Sequence, residues 1–132
     1  NKKSEKYHKI KEVSEFTGLS RHTLRYYEKI GLIEGITRES DGHRYYSEND
    51  IAWIGFLNRL RVTGMPIKQM LKFADLRRLG DSTASERRQM LEEFKDELDR
   101  RIEELNKHMK AIDEKVKHYK KLEKSSKQRR RK

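Results

Sequence analysis

More than any other feature, the stretch following Thr83 restricts what this chain can fold into. For roughly 40 residues it contains no glycine or proline, the two strongest helix breakers. Its apolar residues are Leu91, Phe94, Leu98, Ile102, Leu105, Met109, Ile112, Val116 and Tyr119, at spacings of 3, 4, 4, 3, 4, 3, 4 and 3. From Ile102 onward this is a heptad seam, and the doubled 4 at Leu98 is an eleven-residue element that locally relaxes the supercoil. TASE at 83–86 offers a capping box at its start. Such a helix is on the order of 60 Å long at ~1.5 Å per residue. Its seam is one stripe wide, so a single copy leaves it wet. A homodimer through a parallel or antiparallel coiled coil is the economical solution, with Leu98, Ile102, Leu105, Met109, Ile112 and Val116 as dimerisation positions.

Composition agrees with a small core joined to a long solvated helix. Of the 132 residues, 33% are hydrophobic and 42% charged, too polar for one compact globule of that size. The net charge of +11 is uneven. Residues 1–80 hold 16 Lys or Arg against 10 Asp or Glu; residues 81–123 hold 11 against 12; residues 124–132 hold 6 against none. Basic excess on a folded head points to a polyanion, nucleic acid before an anionic membrane. No apolar run reaches membrane-spanning length and no signal-peptide pattern opens the chain, so a cytoplasmic location is expected. With no cysteine, disulfides, thiol redox sensing and Cys-ligated metal are excluded.

The first 80 residues divide into short elements. YHKI at 7–10 suits a short strand leading into a helix marked by Val13 and Phe16. TGLS at 17–20 stops that helix: Gly18 supplies the turn and Ser20 caps the next helix, from about Arg21 to Ile30. Leu24, Tyr27 and Ile30 form its inner stripe, while Arg21, His22, Arg25 and part of Tyr26 fall outside it. Two short helices across a tight glycine turn describe a helix-turn-helix. In EGITRESDGHRYYS, ESDG is a turn signal between two short strands, ITR and HRYY, which read as a wing. SEND at 47–50 opens a third helix carrying Ile51, Trp53, Ile54, Phe56, Leu57 and Leu60. Gly64 ends it, and Met65-Pro66 starts a fourth that ends near Gly80.

The domains expected are therefore a DNA-binding head at 1–80 with two helices added to the winged helix-turn-helix, a coiled-coil dimerisation helix at 81–123, and a disordered basic tail at 124–132. The tail usually reads as a solvated extension, though it has the charge to add salt-sensitive affinity for DNA.

The exposed side of the second helix carries Arg21, His22, Arg25 and Tyr26. A solvated face would look the same, but a helix fits the major groove, Arg grips guanine or phosphate, and a tyrosine hydroxyl bonds phosphate. Tyr27 belongs more to the core. In the wing, strand alternation sends Tyr45 to one face and Arg44 and Tyr46 to the other. One face packs and the other is free to meet DNA backbone, and Tyr46 fits either use. Arg59, Arg61 and Lys68 surround the GMP turn, as a second backbone clamp or as scattered surface charge. Glu104/His108 and Glu114/His118 stand at i, i+4, which helical surface pairing explains better than metal binding. No Ser/His/Asp set, phosphate-binding glycine loop or carboxylate pair can be assembled, so neither an enzyme nor a cofactor is expected.

In combination, YHKIKEVSEFTGLSRHTLRYYEKIGLI, GHRYYSENDIAWI, GMPIKQM and the long final helix resemble the MerR family of transcriptional regulators over residues 7 to about 120. The resemblance implies a mainly α fold, a winged helix-turn-helix head followed by a long dimerisation helix in an antiparallel coiled coil. It implies a homodimer bound to a pseudo-palindrome in double-stranded promoter DNA whose spacer is over-long. Bending and undertwisting that DNA would bring the promoter elements into register for RNA polymerase, an indirect partner. Carried over by position, it implies DNA roles for Arg21, Arg25, Tyr26, Tyr27, Arg44, Tyr45 and Arg61. The cysteines of metal-sensing and electrophile-sensing members are missing, and no separate drug-binding domain follows the coil. A small-molecule effector held non-covalently, with Trp53, Phe56, Phe73 and Phe94 as candidate lining, or no effector at all, remains. The alternative function is that of an architectural or recombination-accessory DNA binder.

Overall fold

A computed structural model describes residues 6–131. Residues 1–5 of the expected head and Lys132 of the expected tail lie outside the described residues. The chain runs β1 (Tyr7–Lys9), α1 (Ile10–Thr17), α2 (Arg21–Lys29), β2 (Thr37–Arg38), β3 (Arg44–Ser47), α3 (Glu48–Val62), α4 (Ile67–Arg78), a 3₁₀ turn (Asp81–Thr83) and α5 (Ala84–Arg131). It divides into two compact units, 1–90 and 91–132.

In the first unit the helix-turn-helix forms where the turn chemistry dictates. α1 ends because Gly18 adopts φ 77°, a left-handed conformation that costs glycine no Cβ clash, and its N–H closes onto the Ser14 carbonyl at 3.0 Å. Two residues on, the Ser20 hydroxyl accepts from the Thr23 N–H at 3.1 Å and starts α2. Asn58 of α3 fixes the turn from below, donating to the Thr17 carbonyl at 3.0 Å. The wing is wider than a hairpin. β3 is the centre of a three-stranded antiparallel sheet in the order β1-β3-β2. His8 stands opposite Tyr46 and Arg38 opposite Arg44. The strand that opens the head thus covers one edge of the wing.

Val13, Leu24, Leu32, Tyr46, Ile54, Leu57, Met65 and Met70 are the largest fully buried side chains. They come from α1, α2, the segment after α2, β3, α3, the turn before α4 and α4 itself, so one small core ties all these pieces together. Phe16, one of the two apolar marks of α1 in the sequence, is 62% exposed. Val13 and Thr17 hold the buried positions of that helix, and the Phe16 ring lies edge-on to His8 at 5.4 Å. Trp53, Phe56 and Phe73 stack on one another with centroids 5.8–6.1 Å apart, and the Arg77 guanidinium lies 4.2 Å above the Trp53 ring. The indole N–H donates to the Leu32 carbonyl at 2.8 Å. Of these three candidate effector-lining residues Phe73 is core, while Trp53 and Phe56 are half-buried beside it, Trp53 under a cationic lid.

Two further expectations are corrected. Thr83 does not use its hydroxyl as the opening acceptor of a capping box. It donates to the Leu76 and Gly80 carbonyls at 2.5 and 2.9 Å and accepts from Arg87 Nε at 3.1 Å. It thus closes the α4 C-terminus across the 3₁₀ turn. The expected disordered tail is helical: α5 continues through 124–131. Lys, Arg and Gln are good helix formers, and no breaker intervenes. In the second unit, the seam residues from Ile102 to Leu122 are 46–66% exposed. Leu98 is half-buried.

Candidate nucleic-acid interface

α2 turns its apolar stripe inward through Leu24 and Tyr27, which are buried. Its Ser20 cap sets the first turn, so Arg21, His22 and Arg25 fall outside that stripe and are exposed. The adjacent tyrosines separate by one helical step of about 100°. Tyr26 is 46% exposed while Tyr27 is 3% exposed. Their rings stay 6.2 Å apart. The Tyr27 carbonyl accepts from the Leu32 and Ile33 N–H groups at 2.9 and 3.2 Å, which folds the chain back after the helix. Burial raises the Tyr27 phenol above its ordinary pKa, and the nearby Arg61 charge opposes that rise.

The wing meets α2 through an ion pair. Arg44 Nε donates to Glu28 Oε2 at 2.7 Å, with both side chains about a quarter exposed. Arg25, Glu28, Lys29, Arg38 and Arg44 line one concavity between α2 and the wing. Four cations surround one carboxylate there. Arg38 and Arg44 are register partners on adjacent strands, an arrangement that disfavours the sheet unless an anion relieves it. Glu28 provides part of that relief.

Tyr45 takes the opposite strand face and donates to Asp41 Oδ2 at 3.0 Å, a bond that raises its phenol pKa. Asp41 Oδ1 also accepts from the His43 N–H at 2.9 Å. One carboxylate thus holds the wing turn and the Tyr45 ring. Tyr46 shares its strand face with Arg44, and packing makes it core: it is fully buried. Arg61 is exposed, and its Nη1 donates to the Met65 carbonyl at 3.3 Å across the GMP turn. Arg59 and Lys68, on either side of that turn, are exposed as well.

Arg21, His22, Arg25 and Tyr26 are thus placed together on one helix, and Arg25 and Arg44 are brought to one concavity. Tyr45, Arg61 and the buried Tyr27 are not among the residues that line it. Glu28, Lys29 and Arg38 were not singled out from sequence, although the ESDG turn between ITR and HRYY sets Arg38 opposite Arg44. Among the described residues no group of three or more His, Cys, Asp or Glu is arranged to hold a metal ion. No helix among them is long and apolar enough to cross a membrane.

Comparison with known proteins decides what kind of head this is. The family model described as MerR HTH family regulatory protein matches residues 8–75, and one described as MerR, DNA binding matches residues 51–124. The chain belongs to the MerR family. An uncharacterised HTH-type transcriptional regulator of Haemophilus influenzae is 32% identical over 83% of this chain and 82% of its own length. The crystal structure of HiNmlR, described as a MerR family regulator lacking the sensor domain and bound to promoter DNA, aligns with a TM-score of 0.74. It is 31% identical and is covered over 79% of each chain. A MerR-family regulator from Listeria monocytogenes aligns with a TM-score of 0.79 at 36% identity over 85% of each chain. A MerR-family transcriptional regulator binds DNA, and this chain has the mainly helical fold with a small sheet wing that goes with it. The family is one of DNA-binding transcription regulators and not an enzyme family, which favours a regulator over an architectural DNA binder.

Proposed function

We propose that this MerR-family regulator binds promoter DNA as a homodimer, with α2 of each copy in a major groove and the wing against the flanking backbone. The exposed Arg21, His22, Arg25 and Tyr26 face, continuous at Arg25 with the basic concavity of the wing, carries this assignment. Arg25 reads a base edge or grips phosphate, Arg21 and Tyr26 fix the helix on the backbone, and Arg38 and Arg44 take the next phosphates. Tyr27 supports α2 from within, Tyr45 holds the wing turn, and Arg61 adds a backbone contact beside the GMP turn.

The exposed seam supports the dimer, and charge supports its antiparallel sense. Residues 91–104 hold three Lys or Arg against seven Asp or Glu, whereas residues 105–131 hold eleven against three. Parallel packing would set the two basic halves side by side; antiparallel packing sets each against an acidic half. The seam spacing is also palindromic. Leu98 meets Val116, Ile102 meets Ile112 and Leu105 meets Met109 when the helices are reversed about residue 107. Two heads held at a fixed separation select an interrupted palindrome. Distorting an over-long promoter spacer between them is how such a dimer would act on RNA polymerase. Any effector would bind non-covalently.

The decisive experiment is selection of bound duplexes from a random pool at near-physiological salt. Enrichment of one interrupted palindrome is expected. Arg25→Ala then loses about 1–3 kcal/mol on that site and relaxes preference at one position of each arm. Binding without enrichment, unchanged by Arg25→Ala, would overturn the assignment.

A further inference from the structure

We propose that one face of the distal part of α5 is a second surface for the phosphate backbone of duplex DNA. Lys117, Lys120, Lys121, Lys124 and Lys127 are all exposed on a continuous helix. At 3.6 residues per turn they fall within an arc of about 120°. The apolar seam through Ile112, Val116 and Tyr119 is centred about 110° away around the same helix. A second helix seated on the seam therefore flanks Lys120 and Lys127 and leaves Lys117, Lys121 and Lys124 uncovered.

The stripe works against the helix that carries it. Lys117/Lys121 and Lys120/Lys124 stand at i, i+4, and like charges at that spacing weaken a helix. Glu123 is the one acid between residues 115 and 131; it stands in line with the seam, three and four residues from Lys120 and Lys127, and so offsets the flank of the stripe but not its outer face. Favourable alignment with the helix dipole accounts for cations only in the last turn, at Arg129 and beyond. Lys117 to Lys124 stand earlier. In antiparallel packing the partner's acidic half faces Lys120 and Lys127 beside the seam, and an external polyanion is the group that meets the outward Lys117, Lys121 and Lys124.

The dimensions suit a duplex. The stripe is about 15 Å long, a distance over which double-stranded DNA presents roughly nine charges. Lysines on flexible stems meet phosphate as point charges and demand no base sequence. An anionic membrane fits less well, because a surface-bound helix also inserts a broad apolar face. The apolar stripe here is narrow and is the proposed dimer contact. The inference rests on DNA binding by the chain, and not on the roles assigned to individual head residues.

The test uses the full chain, a random-sequence duplex on the order of 40 bp, and fluorescence anisotropy across a salt series. Replacing all five lysines with Gln is expected to weaken binding at least ~10-fold near physiological salt. It should also lower the slope of log K against log salt by about 3–4, at roughly 0.9 per phosphate. Replacing the same five with Arg keeps both, which separates charge from helix integrity, and sedimentation equilibrium of the Gln variant separates a lost DNA contact from a lost dimer. An unchanged slope in the Gln variant, or an equal loss in the Arg variant, overturns the proposal. So does preferential capture of the chain by phosphatidylserine vesicles that only the Gln variant escapes. Arg25→Ala on a selected operator reports the head separately, so either surface can fail alone.

Discussion

Glu28 is a carboxylate in a concavity otherwise lined by Arg25, Lys29, Arg38 and Arg44. A phosphate entering there must compete with it for Arg44. Glu28→Gln keeps an acceptor for Arg44 Nε and removes the charge. The expected result is tighter binding to any duplex, by about 3–10-fold, with a salt slope steeper by about one. Weaker binding would mean that the charge of Glu28 is needed to aim Arg44. Tyr46 poses a different question. Its hydroxyl is buried and has no hydrogen-bond partner, and burial raises its pKa. An unsatisfied buried hydroxyl opposes folding, so Tyr46→Phe should raise unfolding stability by about 1 kcal/mol in urea titration. A loss of similar size would reveal a hydrogen bond made by that hydroxyl. From sequence, Tyr46 fitted either core or contact because strand alternation pairs it with Arg44. Only packing against the helices decides which face is inner.

At the scale of the element, legibility followed local chemistry. Gly18, Ser20, Gly64 and the Ser47–Asp50 box each act through their own backbone neighbours, so the ends of α1, α2 and α3 were legible in advance. The box is complete: the Ser47 hydroxyl accepts from the Asp50 N–H at 3.1 Å and the Ser47 N–H donates to Asp50 Oδ2 at 2.9 Å. Ser47 is also the last residue of β3, so its loss releases the junction between wing and α3. Ser47→Ala should cost about 1 kcal/mol of stability, measured by urea unfolding. A change under about 0.3 kcal/mol would show that tertiary packing alone holds the start of α3. What local chemistry did not reveal were the tertiary choices. β1 pairs with β3 forty residues away, Phe16 yields the inner face of α1 to Thr17, and Thr83 turns back to α4. The Arg44–Glu28 pair belongs to the same class, because neither residue signals the other in sequence. The tail was misread for another reason. Low hydrophobicity alone does not mean disorder: the residues at 124–131 favour helix and follow one already formed.

For the whole molecule, the question is what covers α5. Ile102, Leu105, Met109 and Ile112 are each more than half exposed along one stripe. Burying such side chains is worth about 1.5–3 kcal/mol apiece before ordering costs, so a partner helix is strongly favoured. In the proposed dimer a second copy would supply a seam of matching period, and the reversed charge halves would favour its antiparallel approach. Leu105 and Ile112 occupy different layers of that pairing, near and away from its midpoint. Glu introduced at either would bury an unpaired carboxylate twice per dimer, once from each copy, a far larger cost than the lost contact. Leu105→Glu and Ile112→Glu should therefore each yield monomers at micromolar concentration by sedimentation equilibrium. The head of such a monomer should stay folded, because its core residues Val13, Leu24, Ile54 and Met70 come from other elements. Thermal unfolding of the head and its weak attraction to random duplex should thus survive, while affinity for the selected palindrome falls by orders of magnitude. A monomer that keeps full affinity for the palindrome would break the link between α5 and specific binding. A dimer that survives both substitutions would move the interface off the seam.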